Sequence, residues 1–146
     1  MTDNFAPPRL SLMMIARIRH QARYRWGYCL SSEILLGMPM EVEHLIPLAI
    51  GGASTEENLW LAGRRCNGFK GAQTVVLDPL SQQPVALFNP RTQSWPDHFQ
   101  WSEDGTQIIG LTPCGRATVV ALNLNNPEIS AARRLWVSVG WWPPSD

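Results

Sequence analysis

Glu43 and His44 stand side by side in "MEVEHLIPLAIGG" (residues 40–52), inside an otherwise apolar run, with Glu41 two positions earlier. A carboxylate oxygen is a hard ligand suited to Mg²⁺ or Mn²⁺. A neutral imidazole can take a proton from water near pH 7. On a strand, neighbouring side chains point to opposite faces, so the two can play separate roles. Fourteen residues after His44 comes Asn58, nine further Asn67, and three beyond that Lys70. An Asn carbonyl can complete a hard-metal site, and a Lys is a point charge for a phosphate. Together these are the parts of metal-assisted phosphodiester hydrolysis: a metal, a base and a phosphate clamp. A His beside a Glu is also what a packed or surface pair looks like, and residue chemistry alone leaves both readings open.

The flanking pattern says what must position these groups. Leu10, Met14, Ile15, Ile18 and Ala22 recur at helical spacing and predict a helix from Arg9 to about Arg23. "EVEHLIPL" alternates as a short strand, "GGASTEEN" reads as a turn, and "LWLAG" suits a second strand. "RRCNGFKGA" reads as a short helix, weakened by Gly68 and Gly71. Residues 26–40 and the stretch "LDPLSQQPVALFNPRTQSW" are rich in turn formers and read as loops. Glu103-Asp104-Gly105 between apolar and aromatic runs predicts a hairpin. Thr112-Pro113 and Asn126-Pro127 each supply an N-cap followed by a helix-starting Pro, so two helices should follow.

The ordered residues of the middle segment resemble the HNH endonuclease family. They are Glu43-His44, Ile46-Pro47, Gly51-Gly52, Asn58-Leu59 and Cys66-Asn67-Gly68-Phe69-Lys70-Gly71. The resemblance implies an α+β fold with a ββα-metal core, preceded by an Arg-rich helix and followed by a hairpin-plus-helices extension. Its boundaries would be a flexible arm over 1–8, the nuclease core with its N-terminal helix over 9–78, and an extension over 79–146. His44 would be the general base. Glu43 and Asn67 would hold one Mg²⁺ or Mn²⁺, with Glu41 behind them. Asn58 would brace the loop that orients His44. Lys70 and Arg65 would lie near phosphates, and Arg64, Arg23 and Arg19 would add backbone contacts; for Arg64 a solvated surface position is an equal alternative. The substrate would be DNA, cut to 5′-phosphate and 3′-hydroxyl ends.

Two departures from the family pattern stand out. Glu replaces the usual Asp at position 43, adding a methylene to the metal ligand. Many members hold a structural zinc through two Cys-x-x-Cys pairs, whereas here those places read Trp26-Gly27-Tyr28-Cys29 and Gly63-Arg64-Arg65-Cys66. Two thiolates cannot close a four-ligand zinc site, so no structural zinc is expected. Trp26 would instead fill space against Gly63, with Cys29 and Cys66 close together and reduced.

Composition bounds the remaining choices. Apolar residues make up 45% of the 146-residue chain, enough for a core, and charged residues only 16%, which argues against a disordered chain. The formal net charge is zero, so phosphate binding would rest on local patches such as the Arg-rich stretch 9–25. The absence of a basic-then-apolar leader pattern and of long apolar runs predicts a cytoplasmic protein without a membrane partner. His98 reads as a structural histidine in an aromatic cluster and His20 as a surface residue. The Trp-rich C-terminal half offers a surface for a protein partner or a second copy. The alternative to an enzyme is a nucleic-acid-binding module that keeps the HNH fold but cleaves weakly or only with a partner.

Overall fold

The computed structural model describes residues 10–145. The arm expected over 1–8 lies outside them. Helix α1 (Leu12–Gln21) starts at Ser11, whose hydroxyl accepts from the Met14 amide. It is shorter than its apolar spacing predicts, because Arg23 and Tyr24 both turn into the left-handed region, with φ of 54° and 57°. Helix α2 (Glu33–Leu36), one turn long, lies within the segment expected to be loop. Strands β1 (Glu41–His44) and β2 (Leu59–Ala62) pair antiparallel, with Glu43 opposite Trp60 and His44 opposite Leu59. The first strand stops before Pro47, and Leu48–Ile50 form a 3₁₀ turn instead. Helix α3 (Arg64–Lys70) runs between Gly63 and Gly71. The segment thus reads strand, loop, strand, helix, as its sequence predicts.

The turn-rich stretch beyond it is more ordered than expected. Strands β3 (Val75–Leu77) and β4 (Pro84–Ala86) form a second antiparallel pair, which straddles the anticipated 78/79 boundary. Asp78 organises their connection. Its carboxylate accepts from Leu80 N, Ser81 N and Ser81 Oγ, and takes a two-pronged ion pair from Arg116. Helix α4 (Trp95–His98) leads into strands β5 (Phe99–Trp101) and β6 (Ile108–Gly110), the hairpin expected around Gly105. Helices α5 (Pro113–Ala121) and α6 (Pro127–Ser138) start at Thr112 and Asn126, whose side chains accept from Gly115 N and Ile129 N. Mixed helices and small antiparallel sheets make this an α+β fold.

Two apolar clusters hold the elements. In one, Ile18 of α1 and Ala22 at its C-terminal cap join Leu59 and Leu61 of β2. Burying such an aliphatic side chain contributes roughly 1.5–3 kcal/mol. The other joins Tyr28, Cys29, Ala62 and Cys66 to Leu87, Phe88, Phe99, Ile108, Leu122 and Leu124. The C-terminal half therefore shares a core with the strand–strand–helix segment. Trp26 packs against both clusters. Arg133 of α6 is fully buried and donates to the carbonyls of Thr106 and Leu124 and to Asn125 Oδ1, with its guanidinium on the Trp101 ring.

Candidate functional site

The loop between β1 and β2 is shaped by backbone crowding. A Cβ on Gly52 would lie 1.7 Å from the Ile46 carbonyl oxygen, so only glycine fits there. Asn58 clamps the loop from inside. Its Oδ1 accepts from Ile46 N at 2.8 Å, and its Nδ2 donates to the carbonyls of Ile46 and Ala53, each at 2.9 Å. The clamped loop carries Ser54, whose Oγ lies 2.9 Å from His44 Nε2. Asn58 is thus linked to His44 at one remove, through the loop and Ser54. Ser54 was not read from the sequence; a Ser inside a turn carries no signal for this contact.

Burial, and then the charge of Lys70, lower the pKa of His44 below its ordinary value, which favours the neutral imidazole. A neutral ring can accept a proton at physiological pH.

Glu43 points the other way along the pleat and is 1% exposed. Its Oε1 accepts from the Tyr28 hydroxyl at 2.5 Å and lies 3.2 Å from Lys70 Nζ. Its Oε2 is buried with no hydrogen-bond partner among the described residues. Burial pushes the Glu43 carboxyl up, opposed by Tyr28 and Lys70. Tyr28 is held firmly protonated by its own burial and by Glu43. Lys70, expected to face phosphate, is itself buried and donates to the carbonyls of Leu45 and His44. The physical reason is the pairing: an ammonium sinks inward where a buried carboxylate needs a counter-charge. Tyr28 is a second residue of this site that the sequence reading missed, since an aromatic upstream of the strand reads as plain core.

Asn67 sits half-buried on α3, and its Nδ2 donates to Glu41 Oε2 at 3.2 Å. Glu41 and Glu43 are two apart on β1 and share a face. The set therefore contains a buried carboxylate oxygen without a protein donor, a second carboxylate, and an amide whose nitrogen is occupied and whose oxygen remains to be offered. Those donors are hard oxygens, the type of ligand that hard divalent cations take. Among the described residues no group of three or more His, Cys, Asp or Glu converges as a metal cage.

The remaining candidates separate. Arg65 donates to Asn126 Oδ1 and Glu128, tying α3 to the start of α6. Arg19 pairs with Glu33. Arg64 and Arg23 are exposed. His98 is bonded to Thr112 Oγ1 and lies against Gln93 and Phe88, a structural place. Trp26 does cover Gly63: a Cβ there would come within 2.2 Å of two ring carbons. Cys29 and Cys66 lie side by side with hydrogen-bonded thiols, and the Cys29 thiol is lowered to about 7, against its burial, by Cys66 and Ser31.

Residues 27–73 match the family model for HNH endonuclease. The matched segment contains every residue of the motif from Glu43 to Gly71. No curated protein and no solved structure was found to match the chain. Among the described residues no helix is long and apolar enough to cross a membrane.

Proposed function

We propose that the chain is a divalent-metal-dependent endonuclease that hydrolyses DNA phosphodiester bonds from a ββα-metal site. The observation that carries this reading is the division of Glu43's carboxylate. One oxygen is fixed by Tyr28 and Lys70, and the other is buried without a protein donor. A buried acceptor left unmade is costly unless something else completes it.

Glu43 Oε2 and the Asn67 amide oxygen would hold the cation, with Glu41 orienting the amide by accepting its N–H. When bound, Mg²⁺ or Mn²⁺ supplies positive charge to the phosphate and the departing oxygen. His44 takes a proton from water, whose oxygen attacks phosphorus. The P–O3′ bond breaks, and the 3′ oxygen gains a proton from solvent. Ser54 holds the imidazole, and Asn58 holds the loop that holds Ser54. Arg64 and Arg23 are exposed and would add phosphate contacts. The Arg65–Glu128 pair is solvent-exposed, hence weak, and Arg65 can exchange it for a phosphate at little cost.

A second reading has one observation behind it. Lys70 already neutralises Glu43, so a metal must compete with an internal cation. That favours a nucleic-acid-binding module with weak or partner-dependent cleavage.

Plasmid nicking at low salt decides between them. Wild type and His44→Ala are assayed with Mg²⁺, Mn²⁺ and EDTA, beside a binding assay. Nicking that needs metal and is lost in His44→Ala with binding intact supports the nuclease. Binding with no metal-dependent nicking by wild type supports the module.

A further inference from the structure

Cys29 and Cys66 are far apart in the sequence but meet in the cluster that joins the C-terminal half to the strand–strand–helix segment. Cys29 lies in the turn after Gly27, and Cys66 in the first turn of α3. Both are buried, 2% and 7% exposed, and their thiols are in hydrogen-bond contact. Thiols already in contact need no large backbone movement to be joined. Neither cysteine takes part in the proposed hydrolysis, yet each is a chain neighbour of a group that does. Tyr28, which donates to Glu43, precedes Cys29, and Asn67, which donates to Glu41, follows Cys66.

The surroundings of the pair suit a reactive sulfur. Cys29 Sγ lies 3.3 Å from the hydroxyl of Ser31, which is also fully buried. Arg133 is fully buried too, and its hydrogen bonds go to the carbonyls of Thr106 and Leu124 and to Asn125 Oδ1. None of these acceptors carries a charge, and Arg133 Nε has no hydrogen-bond partner among the described residues. The guanidinium acts electrostatically on Cys29. A cation buried without a carboxylate favours negative charge on a nearby sulfur. A sulfur so placed, with a second thiol against it, is the arrangement that reversible oxidation requires.

We propose that Cys29 and Cys66 are a redox modification site, which a hydroperoxide joins into a reversible disulfide that slows cleavage by displacing Tyr28 and Asn67. The effect on cleavage rests on the nuclease reading above, whereas the bond itself does not. The Cys29 thiolate attacks one peroxide oxygen, the O–O bond breaks, and Cys29 becomes a sulfenic acid as hydroxide leaves. Cys66 sulfur then attacks the sulfenic sulfur, the S–O bond breaks, and the departing oxygen takes the Cys66 proton and leaves as water. The two sulfurs together lose two electrons, and the peroxide gains them. A dithiol restores both thiols by exchange and is itself oxidised to a disulfide. Hydrogen peroxide is small enough to reach sulfurs this covered. Bond formation draws the sulfurs closer than a hydrogen-bonded contact does, so α3 and the turn at Tyr28 must shift towards each other.

The test treats the full chain and its Cys114→Ala variant with hydrogen peroxide and reads thiol titration and intact mass. Two thiols should disappear from each protein, so that the three of the wild type fall to one. The mass should drop by about 2 Da, the two hydrogens lost in forming one disulfide. Peptide mapping should place the link between Cys29 and Cys66, and dithiothreitol should reverse it. In Cys66→Ser the Cys29 sulfenic acid has no thiol to resolve it and should be trapped by dimedone. Far-UV circular dichroism confirms that each variant is folded. Metal-dependent plasmid nicking should fall about ten- to a hundredfold on oxidation, return with dithiothreitol, and ignore peroxide in Cys29→Ser. Three thiols surviving peroxide, a link through Cys114, or oxidation that dithiothreitol does not reverse would overturn the modification site. A disulfide with undiminished nicking would overturn its tie to catalysis. Reversible disulfide formation in a wild type that never nicks would sink the nuclease reading and leave the redox site standing. Hydrogen exchange over Arg64–Lys70 then reads whether the link shifts α3, with unchanged protection counting against it.

Discussion

Lys70 Nζ lies 3.2 Å from a carboxylate oxygen of Glu43, and the two side chains are only 3% and 1% exposed. Removing one partner strands the other as a buried charge, which costs about 3–5 kcal/mol. Lys70→Met should therefore lower unfolding free energy by that order in urea titrations. Glu43→Leu combined with Lys70→Met should recover more than half of the loss, since no lone charge then remains. A Lys70→Met loss below about 1 kcal/mol would mean that the pair is open to water.

Asn58 makes three side-chain hydrogen bonds that close the loop carrying Ser54. Asn58→Ala should cost about 1–3 kcal/mol of stability. Its larger effect should fall on kcat, because His44 is held through Ser54 and small misplacements of a catalytic group can cost about a hundredfold. KM for DNA should stay near the wild-type value. A rise in KM at constant kcat would instead place Asn58 in substrate binding.

The sequence was most informative where one residue controls one local geometry. Thr112-Pro113 and Asn126-Pro127 set the starts of α5 and α6, and Gly105 set the turn between β5 and β6. The order of β1, β2 and α3 followed from motif spacing. The β3–β4 pair was illegible because Pro79 and Pro84 read as turn formers, whereas Asp78 gathers the connection through Arg116, thirty-eight positions away. Lys70's inward path was hidden for a similar reason. Its partner Glu43 comes from another element, and a lysine near a glycine gives no local hint of burial. Tyr28 and Ser54 acquire their contacts with Glu43 and His44 only once the chain has closed.

Gly63 is packed under the Trp26 ring so closely that a Cβ would stand 2.2 Å from two of its carbons. Gly63→Ala should overpack this junction and cost about 1–3 kcal/mol. Trp26→Leu should also destabilise, by opening a void between both clusters. The double variant should be less impaired than the sum of the two, because the smaller ring vacates the space the new methyl needs. Urea midpoints of the four proteins measure this coupling, and strict additivity would show that the ring and the glycine do not meet.

Asp78 carries a clear pH signature. Its carboxyl is held far below the ordinary value of 3.8, first by the Arg116 side chain and then by Ser81 and the Leu80 and Ser81 amides. A folded-state pKa below the unfolded one stabilises the protein above the unfolded value, and that stabilisation fades as pH falls through the folded value. Asp78→Asn should therefore lower Tm at pH 7, where the ion pair between the β3–β4 connection and α5 is complete. The gap between wild type and variant should persist down to about pH 4–5 and then narrow steadily towards pH 2, as the wild-type carboxylate takes up its proton. Thermal melts of both proteins across this range provide the check. A gap that stays constant through the acid range would mean that Asp78 acts through hydrogen bonds its amide can replace or lose equally, and not through its charge.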